Sequence, residues 1–136
     1  MDKFEFTIDG PPLSHQTRNR GQLRSWQDRV KNAARARWPD GEQPFSSSIQ
    51  ITVTYFHEGD SIRLDNDNMI KPIQDALNGL AYSDDRFITD THLRKTRIDG
   101  AFRVRGFSLV LAEAFADGRE FLHVKIELSP DHSELL

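Results

Sequence analysis

Leu64-Asp65-Asn66-Asp67-Asn68-Met69-Ile70-Lys71-Pro72-Ile73-Gln74-Asp75-Ala76-Leu77-Asn78-Gly79, followed by Asp84-Asp85, is the stretch around which the chain is organised. Met69, Ile70, Ile73, Ala76, Leu77 and Leu80 recur at helical spacing, and Asp67, Lys71, Asp75 and Asn78 fall on the opposite face. Pro72 lacks an N–H, so the regular helical ladder is expected to begin near Asn68 or Met69. That places Asp65 and Asp67 in an extended turn before the helix, where a period of two aims both carboxylates to one side. An acidic approach to a helix whose polar face carries a lysine suits a divalent cation beside a phosphate.

Working outward, Phe4, Phe6 and Ile8 alternate with Lys3, Glu5, Thr7 and Asp9, as in a half-buried strand closed by Gly10-Pro11-Pro12. Residues 13–21 read as a polar, basic loop. Leu23, Trp26, Val30, Ala33, Ala34 and Trp38 form one helical stripe, stopped by Pro39-Asp40-Gly41. Both tryptophans lie on this stripe and are expected in the core. Ile49, Ile51, Val53 and Tyr55 alternate in a second strand, which leads through Glu58-Gly59-Asp60 into the acidic stretch. Residues 87–98 read as a third strand and Gly100 to Gly106 as a loop with Arg103 and Arg105. Ser108 is an N-cap for a short helix to Asp117, with Gly118 at C′. Leu122, Val124, Ile126 and Leu128 alternate in a last strand.

The order β-α-β-α-β-α-β predicts an α+β (mixed α/β) fold: a small mixed sheet of about four strands, two main helices and one short extra helix. None of the strands is a continuous apolar run, so one sheet face is expected to stay exposed. The length of 136 residues fits one domain, taken as 1–129 with a frayed tail at 130–136.

Composition narrows the function. With no cysteine, disulfides and thiolate metal sites are excluded. The N-terminus lacks the apolar core of a signal peptide and no apolar run approaches the ~20 residues of a membrane span, so a cytoplasmic location without membrane contact is expected. The net charge is −3, but residues 11–38 hold seven basic residues against Asp28 alone, a balance of +6 that leaves −9 elsewhere. Such segregation suits a basic arm for a polyanion and an acidic centre for a cation, although a solvated helix face produces the same pattern.

Other chemistries fail on pattern. A calcium loop beginning at Asp65 would need ligands at Met69 and Ala76 and a glycine at Ile70. The five histidines, His15, His57, His92, His123 and His132, are not in zinc-ligand spacing, and there is no nucleophile elbow. Helix capping is the ordinary explanation for Asp and Asn at such a position. It accounts for one or two of these residues, not for two aspartates flanked by two asparagines and a second acidic pair.

Asp65-Asn66-Asp67-Asn68-x-x-Lys71, then Asp75-Ala76-Leu77-Asn78-Gly79, then Asp84-Asp85, resembles the core of RusA-type Holliday junction resolvases. The resemblance implies that Asp65, Asp67 and Asp85 are catalytic, metal-binding carboxylates, with Asp84 the lesser candidate of its pair, and that Lys71 is an essential lysine. It also implies dependence on Mg²⁺ with Mn²⁺ as a substitute, and a homodimer that nicks opposed strands of a four-way junction symmetrically. Arg18, Arg20, Arg24, Lys95 and Arg97 are the DNA-binding candidates. The alternatives are a non-catalytic junction-binding module and a nuclease for another branched or flap DNA. Gly100–Gly118 is longer than a plain hairpin of that family, and Asp85 must fold back across the helix to reach the first pair.

Overall fold

Phe4, Phe6 and Ile8 are buried along strand β1 (Lys3–Asp9), and their alternate neighbours face outward. The same alternation shapes most of β2 (Ile49–His57), whereas β3 (Ile88–Arg97) buries no residue fully and β4 (Phe121–Leu128) is buried on both faces at its start. Between them lie α1 (Arg20–Arg37), α2 (Asn66–Leu77) and α3 (Leu109–Asp117), with a 3₁₀ turn over Asp85–Phe87. This computed structural model describes residues 1–59 and 64–134. Asp60 of the link from β2, and the terminal Leu135 and Leu136, lie outside the described residues.

The strands form one sheet in the order β1-β4-β2-β3. β4 is antiparallel to both neighbours and β3 is parallel to β2. Consequently β1, β2 and β3 all run one way. A row of facing residues, Phe6, Val124, Val53 and Leu93, crosses all four strands. The connections β1-α1-β2 and β2-α2-β3 both step the same way across the sheet, and two crossovers of one hand deposit their helices on one face. Trp26, Val30 and Ala34 of α1 and Met69, Ile73 and Leu77 of α2 share one core with the inward residues of the strands. Each large apolar side chain fully buried there contributes roughly 1.5–3 kcal/mol.

The other face is only partly covered. Phe56, Leu111 and Phe121 make a second, smaller apolar cluster beneath α3. Ser108 caps α3 by accepting from the Leu111 N–H, and Gly118 ends it in the left-handed region at φ 72°. Arg37 of α1 reaches Glu113 of α3 at 3.0 Å, an ion pair joining the layers on either side of the sheet.

Candidate active site

Because β1, β2 and β3 are parallel, their carboxyl ends lie at one edge of the sheet. Three connections leave from that edge: the basic loop before α1, the acidic turn before α2, and the loop after Arg97. Open sheets that mix helices and strands place ligands at this edge. Hydrogen bonds tie the connections together there. The Ile98 N–H donates to the His57 carbonyl at 2.9 Å, and Glu120 accepts from the Glu58 N–H at 3.1 Å and from the Tyr55 hydroxyl at 3.0 Å. Burial and the neighbouring Glu120 push the Tyr55 pKa upward, so its hydroxyl stays a donor.

Helix α2 begins at Asn66, two to three residues earlier than Pro72 suggests. Asp65 is its N-cap residue in extended backbone, and Asp67 lies within its first turn rather than before it. The reason lies outside the helix. The carbonyl of Asn68 would normally bond the N–H of residue 72, which proline lacks. The His15 N–H takes that carbonyl instead, at 2.8 Å. Arg20 Nη1 in turn bonds the His15 carbonyl at 2.9 Å. The basic loop is thereby fastened to the acidic helix at the one carbonyl that proline releases.

The carboxylates of Asp65 and Asp67 are exposed, and among the described residues neither has a hydrogen bond or ion pair. An N-cap aspartate usually accepts from its own helix; Asp65 does not. Both sit at the positive end of the α2 dipole. From β3, the half-buried Lys95 donates its Nζ proton to the Leu64 carbonyl, one residue before Asp65. One turn into α2, Lys71 Nζ lies 2.9 Å from Asp75 Oδ1. The hydrogen bond and charge of Asp75 raise the Lys71 pKa, with a further contribution from Asp85.

The chain folds back after the helix. Gly79, at φ 87°, lets it reverse, and the buried Tyr82 hydroxyl donates to the Gln74 carbonyl. Burial, with Asp75 and Asp85 acting in the same direction, holds the Tyr82 pKa high. Asp84 spends its carboxylate on the Arg86 N–H at 2.9 Å, capping the 3₁₀ turn, and that bond lowers its pKa. Asp85 therefore returns far enough for its charge to act on Lys71. The donor set suits a hard cation in its chemistry, since carboxylate oxygens are what Mg²⁺ prefers. Among the described residues, however, no three His, Asp or Glu side chains gather closely enough to hold a metal ion. The three aspartates lie on an N-cap, a helical turn and a 3₁₀ turn, and like-charge repulsion favours their separation.

Of the basic candidates, Arg18, Arg20 and Arg24 are exposed at the start of α1. Arg97 pairs with Asp99 at 3.0 Å. His15 escaped the sequence reading. Its Nδ1 is enclosed and, among the described residues, without a partner; the carbonyl orphaned by Pro72 signals that an outside donor is needed, not which residue supplies it. No helix among the described residues is long and apolar enough to cross a membrane.

A family model described as endodeoxyribonuclease RusA matches residues 13–105. The match takes in the basic loop, α1, β2, the acidic turn, α2 and β3, and stops short of α3. No curated protein matches the chain. Nucleases of that family resolve Holliday junctions and depend on a divalent metal. The matched segment spans well over half of the 136 residues and contains Asp65, Asp67, Lys71, Asp84, Asp85 and the basic loop, so the chain belongs to the RusA endodeoxyribonuclease family.

Proposed function

We propose that the chain resolves four-way DNA junctions as a Mg²⁺-dependent homodimer, each subunit nicking one of two opposed strands. The observation that carries this reading is the pair of carboxylates, Asp65 and Asp67, unpartnered among the described residues, with Asp67 one helical turn from Lys71, at the carboxyl edge of three parallel strands. Asp65, Asp67 and Asp85 would hold the cation, Mn²⁺ substituting, while Asp84 serves as the turn's cap. When bound, the cation supplies Lewis acidity toward water and phosphate oxygens. Lys71 stays protonated and offsets the charge that builds on the attacked phosphate. Lys95 positions the turn through the Leu64 carbonyl, and Arg18, Arg20, Arg24 and Arg97 take backbone phosphates. A two-fold substrate is met by a two-fold dimer.

The experiment is a labelled four-way junction incubated with Mg²⁺ and either the wild-type chain or Asp67→Asn. Wild type is expected to release paired nicked products, and the variant to bind the junction but lose cleavage by a factor of about 10² or more. Binding without cleavage by wild type under any divalent ion would favour a non-catalytic junction module. Forks or flaps cut in preference to four-way junctions would move the substrate to another branched DNA.

A further inference from the structure

The sheet face opposite α1 and α2 carries a cleft of about 640 Å³. This volume is within the range of small-ligand sites. Thr52, Thr54, Arg94 and His123 line its floor, and the loop carrying Phe102, Arg103 and Arg105 forms its wall. The acids in the cleft are already engaged. Glu127 faces Lys125 at 3.3 Å and accepts from Gln50, and Glu5 takes the Ser108 hydroxyl. Arg94, Arg103 and Arg105 are exposed and, among the described residues, none has a carboxylate partner.

Two further observations point to a ligand with both charge and a flat ring. His123 is 8% exposed, and among the described residues its Nε2 makes no hydrogen bond, the Glu5 carboxylate standing off at 3.8 Å. Phe102 rests on Phe56, ring centroids 5.6 Å apart, and remains 40% exposed. An aromatic ring beside guanidinium groups is the chemistry that holds unpaired nucleotides. Position matters as well. The loop leaves the carboxyl end of β3, the edge that also carries the acidic turn, and α3 behind it lies beyond the family match.

We propose that this cleft binds a single DNA strand, with Arg94, Arg103 and Arg105 on its phosphates and one base against Phe102. It would take a strand passing over the sheet edge from the acidic turn, an assignment that rests on the nuclease reading above. The chemistry recognised is a phosphate bearing a planar base, from a strand or from a free nucleotide.

Fluorescence anisotropy in EDTA distinguishes these, using labelled oligothymidylate, with Arg103→Gln/Arg105→Gln and Phe102→Leu compared with wild type. The double variant is expected to bind at least tenfold more weakly, with a log-log salt slope shallower by about 1.4. Phe102→Leu is expected to weaken binding by roughly tenfold with the slope unchanged. Equal thermal midpoints, expected at these exposed positions, exclude misfolding. If the midpoints fall, the same comparison is read from Arg94→Gln. Oligonucleotide binding and salt slope unchanged in the variants would overturn the proposal, as would displacement of the strand by equimolar thymidine monophosphate. The nuclease reading is scored separately. Wild-type cleavage of the junction with variant-insensitive strand binding sinks the cleft alone, whereas variant-sensitive strand binding by a chain that cleaves nothing supports the cleft and removes the nuclease.

Discussion

Lys71 carries its charge between two acids, Asp75 one turn along α2 and Asp85 on the returning chain. Its pairing with Asp75 was legible in the sequence, since a lysine and an aspartate four residues apart share a helix face. The pair is half exposed, at 46% and 36%, and lysine precedes aspartate, the weaker order, so it contributes no more than about 0.5 kcal/mol. The raised Lys71 pKa sets the sign of its pH dependence: the contribution is complete below the ordinary lysine value and is lost only as pH rises through the raised one. Asp75→Asn is therefore expected to leave the thermal midpoint nearly unchanged, by the same small amount at pH 6 and pH 9. Lys71→Met is expected to lower junction cleavage by about 10²–10³ while Asp75→Asn retains it. Single-turnover rates of the two variants check this. A loss in Asp75→Asn as deep as in Lys71→Met would mean that the pair, not the lysine, is the functional unit.

At the scale of elements, all four strands and three helices were legible, β1, β2, β4 and the two long helices from apolar periodicity and α3 from its caps, Ser108 and Gly118. The start of α2 was not. A proline argument counts donors within the helix, and the donor that replaces Pro72 comes from His15, more than fifty residues earlier. The same contact turns a feature of helix chemistry into a clasp between the basic loop and the acidic turn. Pro72→Ala tests the clasp by restoring an N–H that competes for the Asn68 carbonyl. The variant relieves a helix-interior proline worth up to about 3 kcal/mol, offset in part by the loss of a buried ring. The His15 amide is expected to exchange with solvent faster, and junction affinity to fall, even where the thermal midpoint rises. Unchanged His15 protection in hydrogen-exchange measurements would show that the loop is held elsewhere.

For the whole molecule, the sequence could not give the strand order. β4 comes last in the chain yet lies between β1 and β2, and pairings of such long separation leave no local pattern. Nor could it show that alternate residues of β4 face two different environments, a closed core on one side and the cleft on the other. His123 is the residue where this matters. It faces Glu5 of β1 at 3.8 Å, with Arg94 of β3 and Lys125 of its own strand also acting on it. Burial is the largest influence and lowers its pKa, the two cations add to that, and Glu5 opposes it. The folded chain thus resists a proton that the unfolded chain accepts near pH 6.5. Stability is free of this penalty above about pH 6.5 and declines as pH falls toward the lowered folded value, below which the penalty is constant. His123→Gln cannot take up the proton, so its stability relative to wild type is expected to improve between pH 8 and pH 5.5, a window above most carboxylate titration. Urea midpoints of both proteins at the two pH values measure the change. A gap of equal size at both would show that the sheet accommodates the protonated imidazole, with Glu5 as its counter-ion.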